Sequence, residues 1–219
     1  MRAGPGQGHL STRRRRGRPK VASDAAQKEA VTRAAWTCLL ERGYARTTMG
    51  DVAAAAQMSL STIYRFFPGK TDLFSAVVAL HRQSMLALPG DYDDMPLEEA
   101  LGRIFQIDLD QEATRQRDAL MTMLLVESRQ FPELSTVFHT EGPQHAHRLL
   151  AAWLERQKAR GRLVVPDADV AARMLMDVVF GAMSLKATDA PQWPGGDDRP
   201  AYLRRCFAMM AEGMRPREV

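Results

Sequence analysis

Apolar residues recur at three- and four-residue intervals along most of the chain, and no segment alternates long enough to suggest a strand. Val31, Ala35, Cys38 and Leu39 mark the buried face of a first helix over about 24–42. Ser23 or Asp24 can cap its start, and Gly43 suits its end. A short second helix opens after Thr47 or Thr48, with Asp51 in its first turn and Ala53 to Ala56 leading into Gln57. Ser59 can cap a third helix carrying Leu60 to Phe67, which Pro68-Gly69 breaks. A fourth starts near Lys70, runs through Leu73, Val77 and Leu80, and ends before Pro89.

Residues 89–97 read as an acidic linker around Asp91, Asp93 and Asp94. Helical spacing then resumes over about 97–112, 115–130, 132–141, 143–160, 167–187 and 199–213. Pro132, Pro143, Pro166 and Pro200 each fall near a predicted helix start, where a missing N–H costs little. The stretch 186–199, with Pro191, Pro194, Gly195 and Gly196, reads as a loop. The predicted fold class is all-α.

Composition narrows this picture. The 219 residues are 45% hydrophobic and 26% charged, as in ordinary globular proteins. No run approaches the roughly 18 apolar residues of a membrane span, so no membrane partner is expected. The arginine block at 13–16 is followed by polar residues, unlike a targeting signal. Cys38 and Cys206 are isolated, which suits reduced thiols in a cytoplasmic protein. Charge is split along the chain. Residues 1–88 hold 14 Lys and Arg against 5 Asp and Glu, and residues 89–219 hold 16 against 21. A basic end suits a polyanion such as nucleic acid. Residues 1–22 form a basic arm, expected to be disordered in isolation; it either contacts DNA or simply keeps the chain soluble.

Two short helices joined by a tight turn form the arrangement that reads DNA in helix-turn-helix proteins. The residues around it resemble the TetR family of regulators. The matching positions are Ala30-Val31, Glu41-Arg42-Gly43-Tyr44, Thr47-Thr48-Met49, Asp51-Val52-Ala53, Ser59, Thr62-Ile63-Tyr64-Arg65-Phe66-Phe67 and Lys70-Thr71-Asp72-Leu73-Phe74. The resemblance implies an N-terminal three-helix DNA-binding domain over 25–85, with its helix-turn-helix at about 48–67. A helical effector-binding and dimerisation domain over 89–219 is implied to follow. Two positions depart from the family pattern. Gln57 stands where a turn glycine is frequent, and Gly50 weakens the start of the second helix.

The resemblance also implies roles. The third helix enters the major groove, and Ser59, Leu60, Ser61, Thr62, Tyr64 and Arg65 include its groove-facing positions. Arg65 either reads guanine, whose two acceptors match its fork, or touches phosphate. Tyr64 contacts a backbone phosphate or sits in the core. Thr48 caps the second helix and points its N-terminus at a phosphate, and Lys70 clamps another.

In the second half, residues 168–185 are apolar on almost every side, which demands burial on every side. The last helix repeats apolar pairs at Tyr202-Leu203, Cys206-Phe207 and Met209-Met210. Two such helices from each copy could build a homodimer; one monomeric core is the alternative. A symmetric dimer would bind a palindromic double-stranded operator. Candidate effector contacts are Phe105, Met121, Leu124, Leu125, Trp153 and Met176, although a stripe at helical spacing serves equally well as core. The run Arg129-Gln130-Phe131-Pro132-Glu133-Leu134, with Gly161 and Leu163, is similar to the AefR-like sensor subgroup. His139, His145 and His147 lack the spacing and partners of a metal site, and no cofactor is expected. No nucleophile elbow, phosphate-binding glycine loop or zinc-binding helix points to an enzyme. The reading is a repressor released from its operator by a small hydrophobic effector.

Overall fold

The computed structural model describes residues 23–184 and 198–216, and for Leu125, Ser128, Met183 and Ser184 the backbone alone. The basic arm, most of the predicted loop over 186–199 and the last residues lie outside that description. All regular structure in the described residues is helical: α1 (Asp24–Arg46), α2 (Met49–Ala55), α3 (Leu60–Phe66), α4 (Lys70–Met85), α5 (Leu97–Ile104), α6 (Gln111–Gln130), α7 (Pro132–His139), α8 (His145–Ala159), α9 (Ala168–Ser184) and α10 (Arg199–Gly213).

Two differences from the sequence expectation have local causes. The helix predicted over 97–112 stops at Ile104, because Gln106 takes a left-handed conformation (φ 49°) and Asp110 caps a new helix by accepting from Ala113 N–H at 2.8 Å. The helix predicted to start at Pro143 has no separate start. A π-turn over Thr140–Gln144 carries α7 directly into α8, with Pro143 inside it. Widening the turn there accommodates a residue that cannot donate a hydrogen bond.

The buried side chains form two cores. The first gathers Val31, Ala35 and Leu39 of α1, Val52 of α2, Ile63 of α3, and Leu73, Phe74 and Val77 of α4; Leu120 and Leu124 of α6 and Leu134 of α7 complete it. The second gathers Leu101, Ile104 and Phe105 with Leu150, Trp153 and Leu154 of α8, Leu175 and Val179 of α9, and Leu203 and Phe207 of α10. Each fully buried aliphatic or aromatic side chain contributes about 1.5–3 kcal/mol, so these rows dominate the stability of both parts.

Polar contacts pin the connections. The acidic linker is clasped by basic residues at the end of α8: Arg160 meets Asp93 and Asp94 at 3.2 and 2.6 Å, and Arg162 donates to the Asp94 and Met95 carbonyls. Arg199 forks onto Asp118 at 3.2 and 3.1 Å, tying α10 to α6.

The join between α1 and α6 is tight. Gly43 interrupts α1 at φ 73° and ψ 168°, a region that only glycine occupies readily. The break turns the Tyr44 N–H toward α6, where the Glu127 carboxylate accepts it at 2.9 Å. A Cβ on Gly43 would lie 2.6 Å from that same carboxylate oxygen. Gly43→Ala is therefore expected to lose about 1–3 kcal/mol from backbone strain, with crowding against Glu127 adding to it. Urea denaturation checks this, and a loss below a few tenths would contradict it.

Candidate nucleic-acid interface and cavity

Helix α2 begins with a reciprocal cap. Thr48 Oγ1 accepts from Asp51 N–H at 3.1 Å, while the Asp51 carboxylate accepts from Thr48 N–H at 2.9 Å. The Thr48 hydroxyl also donates to Asp51 at 2.6 Å, and with Arg42 at 2.8 Å it holds the Asp51 carboxyl below its ordinary range. At the other end, Gln57 adopts φ 54°. Its N–H reaches the Ala54 carbonyl at 3.1 Å and that of Met58 reaches Ala53 at 3.0 Å. These two bonds close α2 as a Schellman turn, built on glutamine instead of glycine.

Ser59 then caps α3, accepting from Thr62 N–H at 3.1 Å and sharing hydrogen bonds with the Ser61 and Thr62 hydroxyls. Ile63 and Phe67 face inward and are buried. Leu60 and Tyr64 are 45% and 49% exposed, and Ser59, Ser61 and Arg65 are exposed as well, with Thr62 half-buried. Tyr64 is thus a surface tyrosine, which disposes of the core alternative. Ser59, Leu60, Ser61, Tyr64 and Arg65 stay on the outside of a helix anchored from behind by Ile63.

Two cations beside that face are engaged within the chain. Arg65 lies over the Phe66 ring at 4.5 Å and meets Asp24 at 3.2 Å. Both members of the ion pair are exposed, and such pairs are worth about 0–1 kcal/mol, so Arg65 exchanges this partner at little cost. Lys70, the first residue of α4, sits 4.1 Å over the Tyr44 ring and donates to the Ala45 carbonyl at 3.4 Å. Burial there depresses its pKa from the ordinary lysine value. The Tyr44 ring also packs edge-on against Phe74 and Phe131, at 5.6 and 5.2 Å.

Where the two cores meet, α4, α6, the π-turn, α8 and α9 surround a cavity of about 490 Å³. That size lies within the range of small-molecule pockets. Val78, Met85, Leu120, Phe138 and Phe180 supply apolar wall, and His81, Arg82, His147 and Arg173 supply polar groups. Among the sequence candidates, Met121, Leu124 and Met176 line it. Phe105 does not: it is fully buried in the second core, stacked on Phe207 at 5.5 Å. Trp153 borders a separate cleft of about 250 Å³ beside Met95 and Arg162. The Leu125 side chain lies outside the described residues. Among the described residues, no three His, Cys, Asp or Glu side chains are placed to hold a metal ion, and no helix is long and apolar enough to cross a membrane.

Comparison with known proteins agrees with both halves of this arrangement. Residues 31–77 match bacterial regulatory proteins of the tetR family, and residues 99–212 match the C-terminal domain of AefR-like transcriptional repressors. The chain belongs to the TetR family. It is a DNA-binding transcriptional regulator of that type and not an enzyme. The transcriptional repressor LfrR of Mycolicibacterium smegmatis is 33% identical over 96 residues, covering 42% of this chain and half of its own length. The transcriptional regulator YvkB of Bacillus subtilis is 25% identical over 154 residues, covering 68% of this chain and 76% of its own. Among solved structures, the flavonoid-responsive regulator FrrA superposes with a TM-score of 0.61 at 27% identity, covering 89% of this chain and all of its own.

Sequence reasoning on this TetR-family chain passed over His81 and Arg82 of the cavity wall and Glu127 at the α1–α6 join. Nothing in their spacing separates them from solvated residues on amphipathic helices. The turn glutamine makes a direct forecast possible. Gln57→Gly relieves a left-handed residue at the end of α2 and is expected to stabilise the protein by about 1 kcal/mol. Thermal melting reads the gain, and an unchanged or lower midpoint would count against strain at this turn.

Proposed function

We propose that this regulator is a repressor which binds a palindromic operator as a homodimer and is released from it by a small, largely apolar effector. Residues 25–85 serve as its DNA-binding unit and residues 89–219 as its effector-binding and dimerisation unit. The observation that carries this reading is the position of the cavity. Its wall includes Val78, His81, Arg82 and Met85, all on α4, the helix that follows the recognition helix after a three-residue turn. A molecule entering the cavity therefore presses on the element that sets the recognition helix in place. The names of two relatives, a repressor and a flavonoid-responsive regulator, support repression and response to a small molecule.

The exposed face of α3 supports DNA contact by Ser59, Leu60, Ser61, Thr62, Tyr64 and Arg65, with Thr48 and Lys70 at the flanking helix starts. Dimerisation is supported by what one chain leaves uncovered. Val170 and Met174 of α9 are 53% and 55% exposed, and Met209 of α10 is 76% exposed. A second copy packing on α9 and α10 covers such residues and pairs the two reading helices.

Two measurements test this. Fluorescence anisotropy with the DNA upstream of the gene, across a salt series, should show tight, sequence-specific binding that weakens steeply as salt rises. Arg65→Ala should cost about 1–3 kcal/mol of that binding and relax the sequence preference; equal affinity for random DNA would overturn operator recognition. In light scattering, the wild type should run as a dimer and Met174→Glu should shift it toward monomer. A monomeric wild type would remove the palindrome from the reading.

A further inference from the structure

The cavity wall combines apolar side chains with charged ones, and the charged groups are not equivalent. Arg173 pairs with Asp177 at 2.9 Å, and its side chain is 69% exposed. His147 is held by the Asp169 backbone carbonyl at 3.0 Å. Arg82 is different. Its side chain is 23% exposed, the deepest of the paired arginines except Arg199 of the α10 tie. Among the described residues its hydrogen bond and ion pair run through one nitrogen: Nη1 donates to the Glu141 carbonyl at 3.0 Å and lies 3.6 Å from the Glu141 carboxylate. Nε and Nη2 have no partner among the described residues, and neither is sealed off from solvent as the His81 Nε2 is.

Nε and Nη2 form one side of the guanidinium fork, the side whose parallel N–H groups match the two oxygens of a carboxylate. Val78, Met85, Leu124, Phe138 and Met176 line the same cavity as Arg82. The Asp169 and Asp177 carboxylates of the wall sit beside His147 and Arg173 respectively, so neither neutralises Arg82. Glu141 offsets part of the Arg82 charge from the Nη1 side, and it leaves the Nε–Nη2 edge open.

We propose that the effector is an amphipathic carboxylate, its apolar body in the cavity and its carboxylate forked onto Arg82 Nε and Nη2. This rests on the reading of the cavity as the effector site and specifies the chemistry it selects. Arg82 stands in the last turn of α4 and is tied through Nη1 to the π-turn. A carboxylate on its free edge would thus load the helix that carries the DNA-reading unit.

The test is calorimetric titration of the full-length protein with matched straight-chain carboxylates and alcohols, from hexanoate and hexanol to dodecanoate and dodecanol. The wild type should bind the carboxylate of the best-fitting length at least tenfold more tightly than its alcohol. Arg82→Met should abolish that preference while the alcohol binds as before, and Arg82→Gln supplies the comparison should the methionine variant melt early. The preferred carboxylate should also release operator DNA from the wild type and not from the variant. Equal binding of acid and alcohol, or a preference for the alcohol, overturns the carboxylate proposal and leaves the cavity as an effector site. No binding of either series at any length overturns the cavity reading and the proposal together.

Discussion

The structure depends on α6 packing into the core of the DNA-binding unit. The buried residues of α1 to α4 share one core with residues of α6 and α7. Leu120 and Leu124 fill it from α6 and Leu134 from α7. One helical turn beyond Leu124, Glu127 accepts the Tyr44 N–H and crowds Gly43. Leu120, Leu124 and Glu127 are four and three residues apart, so they share one face of the helix. That face touches the cavity at one end and the α1 break at the other. Because packed interiors do not deform continuously, a shift of α6 has to be taken up by the DNA-binding unit as a whole.

This explains why α3 can be so short. Seven residues form little stable helix in isolation. Here α3 is held at its start by Ser59, at its back by Ile63 and Phe67, and from before by the closed turn at Gln57. Apart from the capping Ser59, the exposed residues Leu60, Ser61, Tyr64 and Arg65 carry little of that burden, which leaves them for the DNA contact proposed above. The same division appears in Arg65 and Asp24, whose exposed pairing leaves the arginine free to change partners.

Much of this was legible in the sequence. Thr48 and Ser59 are residues whose local chemistry fixes a boundary, and the starts of α2 and α3 follow from them; Gly43, expected to end the first helix, breaks it instead, and α1 resumes as far as Arg46, while α4 stops at Met85, short of the expected end before Pro89. Gln57 stood out because the resembled family often has a turn glycine there, and it does take a left-handed conformation. The second half was less readable for a physical reason. Gln106 reverses the chain without a glycine or proline, and Pro143 lies inside a widened turn that has no distinctive composition. Periodicity separates buried from exposed faces but does not tell a packed residue from a cavity-lining one. Phe105 and Met176 look alike in the sequence, yet one fills the core and the other borders the cavity. Arg82, on an amphipathic helix, reads as a solvated residue until the partners of its individual nitrogens are known.

The contact between Trp36 and His81 has an optical consequence. Trp153 lies deep in the second core, whereas the Trp36 ring leans on His81 at 4.3 Å, and His81 belongs to the cavity wall. Trp36 itself is part of α1, in the DNA-binding unit. Its emission is therefore sensitive to the polarity and packing of the cavity rim, although its backbone belongs to the DNA-binding unit. The protein carries a built-in chromophore where the cavity wall meets the DNA-binding unit.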